Sequence, residues 1–268
     1  MILDRVIFGC NAITSLKSYN LAISILNIAY DYGIRRYDTA PSYGNGYSEK
    51  IIGDFLNEKK DVLITTKFGL GKDYNTKIPS SIALPLNFFK KKYFGGKSNI
   101  ISNPKTFMDD IKIDSGYIES SLNSSLKRLK SKKLDCLLFH EGTPDKLTED
   151  AIELLLNYKE KKIINKIGFG TSYVTLSKIK NINDKIFDIV QYDGFKLYND
   201  FKNMEHIFHG ILKQNFLNKL NIEKTILKSE IYGKAMAEVL IKFPKSKVIF
   251  SSTNKNHIIN NIQSLLKN

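Results

Sequence analysis

Cysteine is scarce in these 268 residues: Cys10 and Cys136 are the only two. Both sit in apolar runs, VIFGCNAI and LDCLLFH, so they read as packed thiols and not as a disulfide framework. That pattern points to a reducing compartment. No run approaches the ~18 apolar residues of a membrane span. The start, MILDRVIFG, has no basic stretch followed by a long apolar one, so no secretory leader is expected and the cytoplasm is the default location. No linker-like composition and no internal repeat interrupts the chain, so one domain over residues 1–268 is expected. No Gly-x-Gly-x-x-Gly is present, which argues against an open Rossmann-type sheet.

Acidic residues are also few, 27 against 41 Lys and Arg, for a formal charge of +14. Lysine dominates the basic residues, which reads as charge scattered over a solvated surface. A nucleic-acid partner, for which the FFKKKYF stretch is the best argument, is not favoured. The positive potential instead suits collection of an anionic small ligand. His206 and His209 lie three apart, but nothing nearby completes a metal-ligand set.

What is present is a soluble composition, 42% hydrophobic and 25% charged, able to bury a sizeable core. Short apolar runs alternate with helix-period segments. Strands are expected at residues 6–10, 34–37, 61–69, 134–140, 166–171, 187–192, 206–212 and 247–253. Helices are expected at 19–32, 49–58, 115–130, 148–161, 174–180, 222–241 and 255–267. Eight strands mostly followed by helices predict an α/β fold, a (β/α)8 TIM barrel. One connection breaks the rhythm. Residues 70–114 form an insertion after strand three, far longer than a usual βα loop. Its place on the catalytic face of a barrel predicts a lid or substrate-binding segment.

The polar residues at the strand ends carry the chemistry. Asp38 closes the second strand, Tyr43 lies five residues on, Lys67 ends the third strand and His140 the fourth. In a barrel, all of these ends open onto one face. Each residue alone has an ordinary explanation: a turn-forming Asp, a solvated Lys, a structural His. Four complementary groups at three successive strand ends make an acid–base site the better reading.

IRRYDTAPSYG, after Gly33, resembles the first signature of the aldo-keto reductase family. SEKIIG, residues 48–53, is similar to the Glu-x-x-aliphatic-Gly that follows it, displaced by a short insertion around residues 45–47. ITTKFG and LLFHEG are similar to the family's Lys and His strands. The likeness runs from Val6 to the last helix, apart from the long connection and a stretch near residues 199–219. It implies an NAD(P)(H)-dependent oxidoreductase that interconverts a carbonyl and an alcohol, with Asp38, Tyr43, Lys67 and His140 as its catalytic residues. The substrate is left open.

In such a reaction negative charge builds on the carbonyl oxygen, and Tyr43 supplies a proton, or removes one in the reverse oxidation. A free phenol ionises near pH 10. An ammonium ~4 Å away at an effective dielectric of ~20 favours the phenolate by about 4 kcal/mol. Before desolvation is counted, that would bring Tyr43 toward neutrality. Asp38 keeps Lys67 charged, and His140 orients the carbonyl oxygen.

The resemblance also implies cofactor contacts. Thr171 stands where the family has an Asn that binds the nicotinamide carboxamide; Ser172 follows it, and Gln191 matches the carboxamide-binding Gln. Phe208 or a neighbour is expected to stack on the nicotinamide. Ser252 and Asn254 suit a phosphate at a helix N-terminus, and Asn261 matches the adenine-contacting Asn. Ser251 and His257 replace the Lys and Arg that hold the 2′-phosphate of NADPH, with Lys255 or His257 as partial substitutes. NADH therefore stands beside NADPH as the expected cofactor. Asn11, after the first strand, is the substrate-contact candidate, and a basic site suits a polar substrate such as a sugar derivative. The second reading is a non-catalytic, nicotinamide-binding regulatory subunit on the same barrel. The oligomeric state is not set by the sequence.

Overall fold

The computed structural model describes residues 2–70, 74, 76–93, 112–179, 186–194, 201–211 and 231–267. Eight parallel strands close into a barrel in chain order. They are β1 (Val6–Gly9), β2 (Arg36–Asp38), β3 (Leu63–Phe68), β4 (Leu134–His140), β5 (Ile164–Thr171), β6 (Ile189–Asp193), β7 (Glu205–His209) and β8 (Lys247–Phe250). The first strand pairs with the last, Val6 beside Val248 and Phe8 beside Phe250. The predicted TIM-type barrel is therefore the fold.

Side-chain alternation sorts each strand into two faces. Outward residues such as Phe8, Tyr37, Phe139, Val190 and Phe208 form the core between the barrel and its helices. Ile7, Cys136, Leu138, Ile189 and Ile207 fill the middle of the barrel. Below them, at the strand starts, charges pair: Arg36 with Asp135 at 2.9 Å, and Glu205 with Lys166 at 2.7 Å and with Lys247. Above them the strands end in polar groups, so the barrel is stacked in layers, as parallel barrels are.

Helices α1 (Tyr19–Asp31), α2 (Tyr47–Phe55), α3 (Ser80–Tyr93), α4 (Ser115–Leu129), α5 (Glu149–Glu160), α6 (Tyr173–Leu176), α7 (Ile231–Lys242) and α8 (Lys255–Leu266) surround the strands. Caps set their starts: Ser18 Oγ accepts from Leu21 N at 3.3 Å, and Asp114 Oδ1 from Tyr117 N at 2.8 Å. Gly33, at φ 95°, ends α1 as its position in the sequence predicts.

Some boundaries differ from expectation. Asp38 is inside β2, whereas residues 34 and 35 are not. Strand β7 runs one residue earlier than predicted and stops at His209, and α6 is a single turn. The connection expected to be a lid contains α3, which packs against α1, α2 and the 3-10 turn Ala12–Ser15 and buries Ala83 and Leu84. Residues 71–73, 75 and 94–111, on which the lid reading rests, lie outside the described residues, as do the side chains of Lys90–Lys92 and residues 222–230 of the helix expected at 222–241.

Candidate active site

Asp38 ends β2, and Lys67 is the next-to-last residue of β3. Both are buried, at 3% and 2% exposure. Lys67 Nζ lies 2.6 Å from Asp38 Oδ1, 2.9 Å from the Thr39 carbonyl oxygen and 3.3 Å from the Tyr43 hydroxyl. Three acceptors satisfy the three donors of an ammonium. Lys67 is thereby fixed in place. Because an ammonium only donates, the Tyr43 oxygen accepts here and keeps its own proton for another partner. Gln191 Nε2 donates to Asp38 Oδ2 at 2.9 Å. His140 ends β4, and its ring meets the Tyr43 ring edge-on, centroids 5.8 Å apart.

Electrostatics refines the expected chemistry. Burial alone would lower the Lys67 ammonium, but Asp38 and Tyr43, through charge and hydrogen bonds, hold it above its ordinary value. Tyr43 moves the other way from the expectation: burial outweighs the Lys67 charge, and its pKa is raised. The physical reason is twofold. Desolvation penalises a phenolate, and the Asp38 carboxylate beside Lys67 offsets part of the favourable field. His140 is held well below its usual range by burial, then by Lys67 and His209. Near neutral pH the arrangement is therefore a charged Lys67–Asp38 pair, a protonated phenol and a neutral imidazole.

The turn after Tyr43 departs from the family spacing, and its backbone shows how. Gly44, Asn45 and Gly46 are consecutive left-handed residues at φ 58°, 55° and 85°. A Cβ at Gly44 would lie 2.5 Å from Thr14, so that position excludes a side chain as well. The reversal leads straight into α2. There Ser48 Oγ donates to the Cys10 carbonyl oxygen at 3.0 Å and accepts from Thr39 Oγ1 at 2.8 Å. Glu49 is fully buried. It accepts from Thr66 Oγ1 at 2.5 Å and Arg128 Nε at 2.6 Å, joining α2, β3 and α4. Gly53 sits where a Cβ would come within 2.3 Å of the Arg128 carbonyl oxygen. SEKIIG is thus the packing motif that seats the Tyr43 turn against the Lys67 strand.

A cavity of about 220 Å3 opens above the barrel. Asn11, Asp38, Tyr43, His140, Thr171 and Gln191, all named from the sequence, line it together with Gly9, Glu141, Gly170, His209, Gly210, Ile249 and Ser251. Lys and Arg are absent from this lining among the described residues, so the expected basic site is not what they form. Glu141 holds a left-handed φ of 54°, and its N–H donates to the Gly170 carbonyl oxygen at 2.6 Å. The sequence reading missed Glu141 and named Ser251 only as a replaced phosphate ligand. Position could have found Glu141, since it lies just past the end of β4.

The expected cofactor contacts divide. Thr171 is buried at the cavity, and its Oγ1 has no hydrogen-bond partner among the described residues. Asn261 Oδ1, buried under α7, has none either. Gln191 lines the cavity, but its amide nitrogen is committed to Asp38. Ser172 instead caps α6, with Oγ accepting from Thr175 N at 3.1 Å. Phe208 is misassigned. It is completely buried in the outer core, edge-on to Tyr192 at 5.3 Å and packed on Phe243 at 5.4 Å. Strand alternation turns its neighbour His209 to the cavity instead. Ser252, Asn254 and His257 lie at the start of α8, where Asn254 Oδ1 accepts from the N–H groups of Asn256 and His257 at 2.9 and 3.2 Å. Asn254 is the helix cap, and it occupies donors that a phosphate would otherwise use.

Comparison with known proteins fits this geometry. The sequence pattern of the Aldo/keto reductase family matches residues 5–205, and the chain belongs to that family. It is 26% identical over 188 residues to YqkF, an uncharacterized oxidoreductase of Bacillus subtilis (strain 168), covering 67% of this chain and 51% of that protein. It is 26% identical over 183 residues to D-threo-aldose 1-dehydrogenase of Pseudomonas sp, covering 65% and 50%. The chain thus spans about half the length of the curated relatives it matches. Among solved structures it is similar to aldo-keto reductase AKR11C1 from Bacillus halodurans, with a TM-score of 0.64 over 97% of this chain and 86% of that one. At 15% identity, that likeness speaks to the fold alone.

Proposed function

We propose that the protein is an NAD(P)(H)-dependent oxidoreductase that interconverts a carbonyl and an alcohol. The observation that carries this reading is the Lys67 junction, which binds Asp38 at 2.6 Å and the Tyr43 hydroxyl at 3.3 Å on the wall of the cavity. In reduction, Tyr43 gives its hydroxyl proton to the developing oxyanion, and Lys67 stabilises the phenolate left behind. Asp38 holds Lys67 in line, and His140 donates a hydrogen bond to the same oxygen. In oxidation, Tyr43 is the base.

The buried, unpartnered Oγ1 of Thr171 at the cavity fits a ligand that carries an amide, as a nicotinamide adenine dinucleotide does. Thr171 would hold its carboxamide end and Asn261 its adenine end. When bound, this cofactor supplies or accepts the hydride. Gln191 supports Asp38 in this scheme, and His209 replaces Phe208 as the ring on the cavity wall. At the α8 start, Lys255 and His257 are the side chains available to a 2′-phosphate, and neither offers the fork of an arginine. NADH is therefore expected to serve at least as well as NADPH.

The substrate proposed is small and polar, an aldose or polyol, in keeping with a lining rich in hydrogen-bonding groups. Asn11 contributes from the loop after β1. The test is fluorescence titration with NADH and NADPH, then a screen of carbonyls and sugar alcohols with the tighter one. Tyr43→Phe is expected to keep cofactor affinity and to lose turnover by about 10²–10⁴-fold. Tyr43→Phe turning over at the wild-type rate would sink the assignment of the acid. Tight binding without turnover of any substrate would favour a regulatory subunit.

A further inference from the structure

We infer that Ser42 is a positioning residue that sets which ring nitrogen of His140 carries the proton. The inference rests on the proposed role of His140 as a donor to the reacting oxygen. Ser42 Oγ lies 3.4 Å from His140 Nδ1. Tyr43, the next residue, touches the same imidazole ring edge-on. One turn therefore carries both the proposed acid and a hydroxyl against His140. Backbone bonds hold that turn: Tyr43 N donates to the Ala40 carbonyl oxygen at 3.1 Å, Asn45 N to that of Ser42 at 3.5 Å, and Ser48 N to that of Tyr43 at 3.2 Å.

The chemistry makes this contact consequential. His140 is held neutral by its surroundings. A neutral imidazole has a single N–H, on one nitrogen or the other. With Nδ1 turned toward Ser42, Nε2 is the nitrogen left for the cavity. If Nδ1 bears the proton, Nε2 presents a lone pair, which repels a carbonyl oxygen. If the Ser42 hydroxyl donates to Nδ1, the proton must reside on Nε2, which then donates to the substrate. A serine hydroxyl can rotate to make that donation. The contact is long for an O–H···N bond, and such contacts commonly tighten in the complex. Ser42 thus sets the tautomer of His140 in the sense opposite to the carboxylate of a hydrolase triad, which accepts from Nδ1–H, and it adds no charge beside the Lys67–Asp38 pair.

Nitrogen-15 spectroscopy tests the inference without requiring turnover. The chain has four histidines, His140, His206, His209 and His257, so four imidazole patterns are expected, and His140→Gln identifies one. His140 is expected in the Nε2–H form in the wild type and in Ser42→Thr. Ser42→Val, similar in shape to threonine but lacking the hydroxyl, is expected to give the Nδ1–H form or a mixture. An Nδ1–H wild type, or an unchanged Nε2–H pattern in Ser42→Val, overturns the inference. With a demonstrated substrate, Ser42→Val is expected to lower kcat about tenfold or more with little change in KM, and threonine to restore it. A wild type inert toward every carbonyl speaks against the catalytic reading alone, because the spectrum still decides the tautomer.

Discussion

Gln191 Nε2 donates to Asp38 Oδ2 at 2.9 Å, from a strand on the far side of the barrel. Asp38 is thereby divided, one oxygen serving Lys67 and the other Gln191. Gln191→Leu is expected to strand the second oxygen in a buried site, costing about 1–3 kcal/mol of stability. Urea unfolding checks the cost. Gln191→Leu should also slow turnover, because Lys67 is held through Asp38; a change confined to cofactor affinity would contradict this.

The charge states set the pH dependence. Tyr43 is held above its ordinary value, so it stays protonated across the neutral range. Reduction consumes that proton and is expected to decline only in the alkaline range. Oxidation needs the phenolate and is expected to rise with pH through neutrality. His140 protonates only well below its usual range, so the acid limb of both profiles lies well below pH 6.5. Profiles of kcat in both directions check the signs. An oxidation rate that falls on going alkaline would contradict them.

Arg128 and Glu49 form a buried ion pair at 2.6 Å. Arg128→Met leaves the carboxylate buried without its cation, with an expected cost of about 3–5 kcal/mol. The measurement is the urea midpoint at constant m-value. Since Glu49 also holds Thr66, next to Lys67, some loss of turnover is expected with it.

Gly53→Ala drives a methyl into the α4 backbone, which is not the far end of a flexible side chain. Helices α2 and α4 must separate, and a loss of about 1–3 kcal/mol or more is expected. Stability equal to the wild type would show that the two helices yield more easily than their contact implies.

At the closed end of the barrel, Lys166 and Lys247 hold the Glu205 carboxyl below its ordinary value although burial opposes them. A depressed carboxyl stabilises the folded chain above its unfolded pKa, near 4.5, and that contribution is lost as pH falls through the folded one. The stability gap between wild type and Glu205→Gln is therefore expected to close on acidification below that pH. Thermal unfolding at stepped pH checks it.

The barrel was legible because its strands are short apolar runs set apart by helix-period segments, and Asp38, Lys67 and His140 because chemistry at strand ends stands out against such runs. Phe208 was misread because its role depends on strand parity. A start set at residue 206 instead of Glu205 gives no anchor for deciding which of Phe208 and His209 faces in. The Tyr43 acidity was misjudged in direction because Coulomb's law needs only a pair of residues, whereas desolvation needs the whole surrounding structure. Glu49–Arg128 was not anticipated at all. Its partners lie far apart in the sequence, and nothing local marks either as buried.

The pairing of Val6 with Val248 has a consequence for biogenesis. On the ribosome, β1 emerges before the other strands of the barrel, and β8, which covers its free edge, emerges after all of them. Until then the growing sheet carries two unpaired edges, each a template for association with another chain. Contacts of such sequence separation form late and slowly. Asp38, Tyr43, Lys67 and His140 are all synthesised by the end of β4, yet the Gln191 partner of Asp38 and the closing strand arrive afterwards. The four catalytic side chains are all made once β4 is complete, while the barrel that orients them waits for the Gln191 strand and for β8.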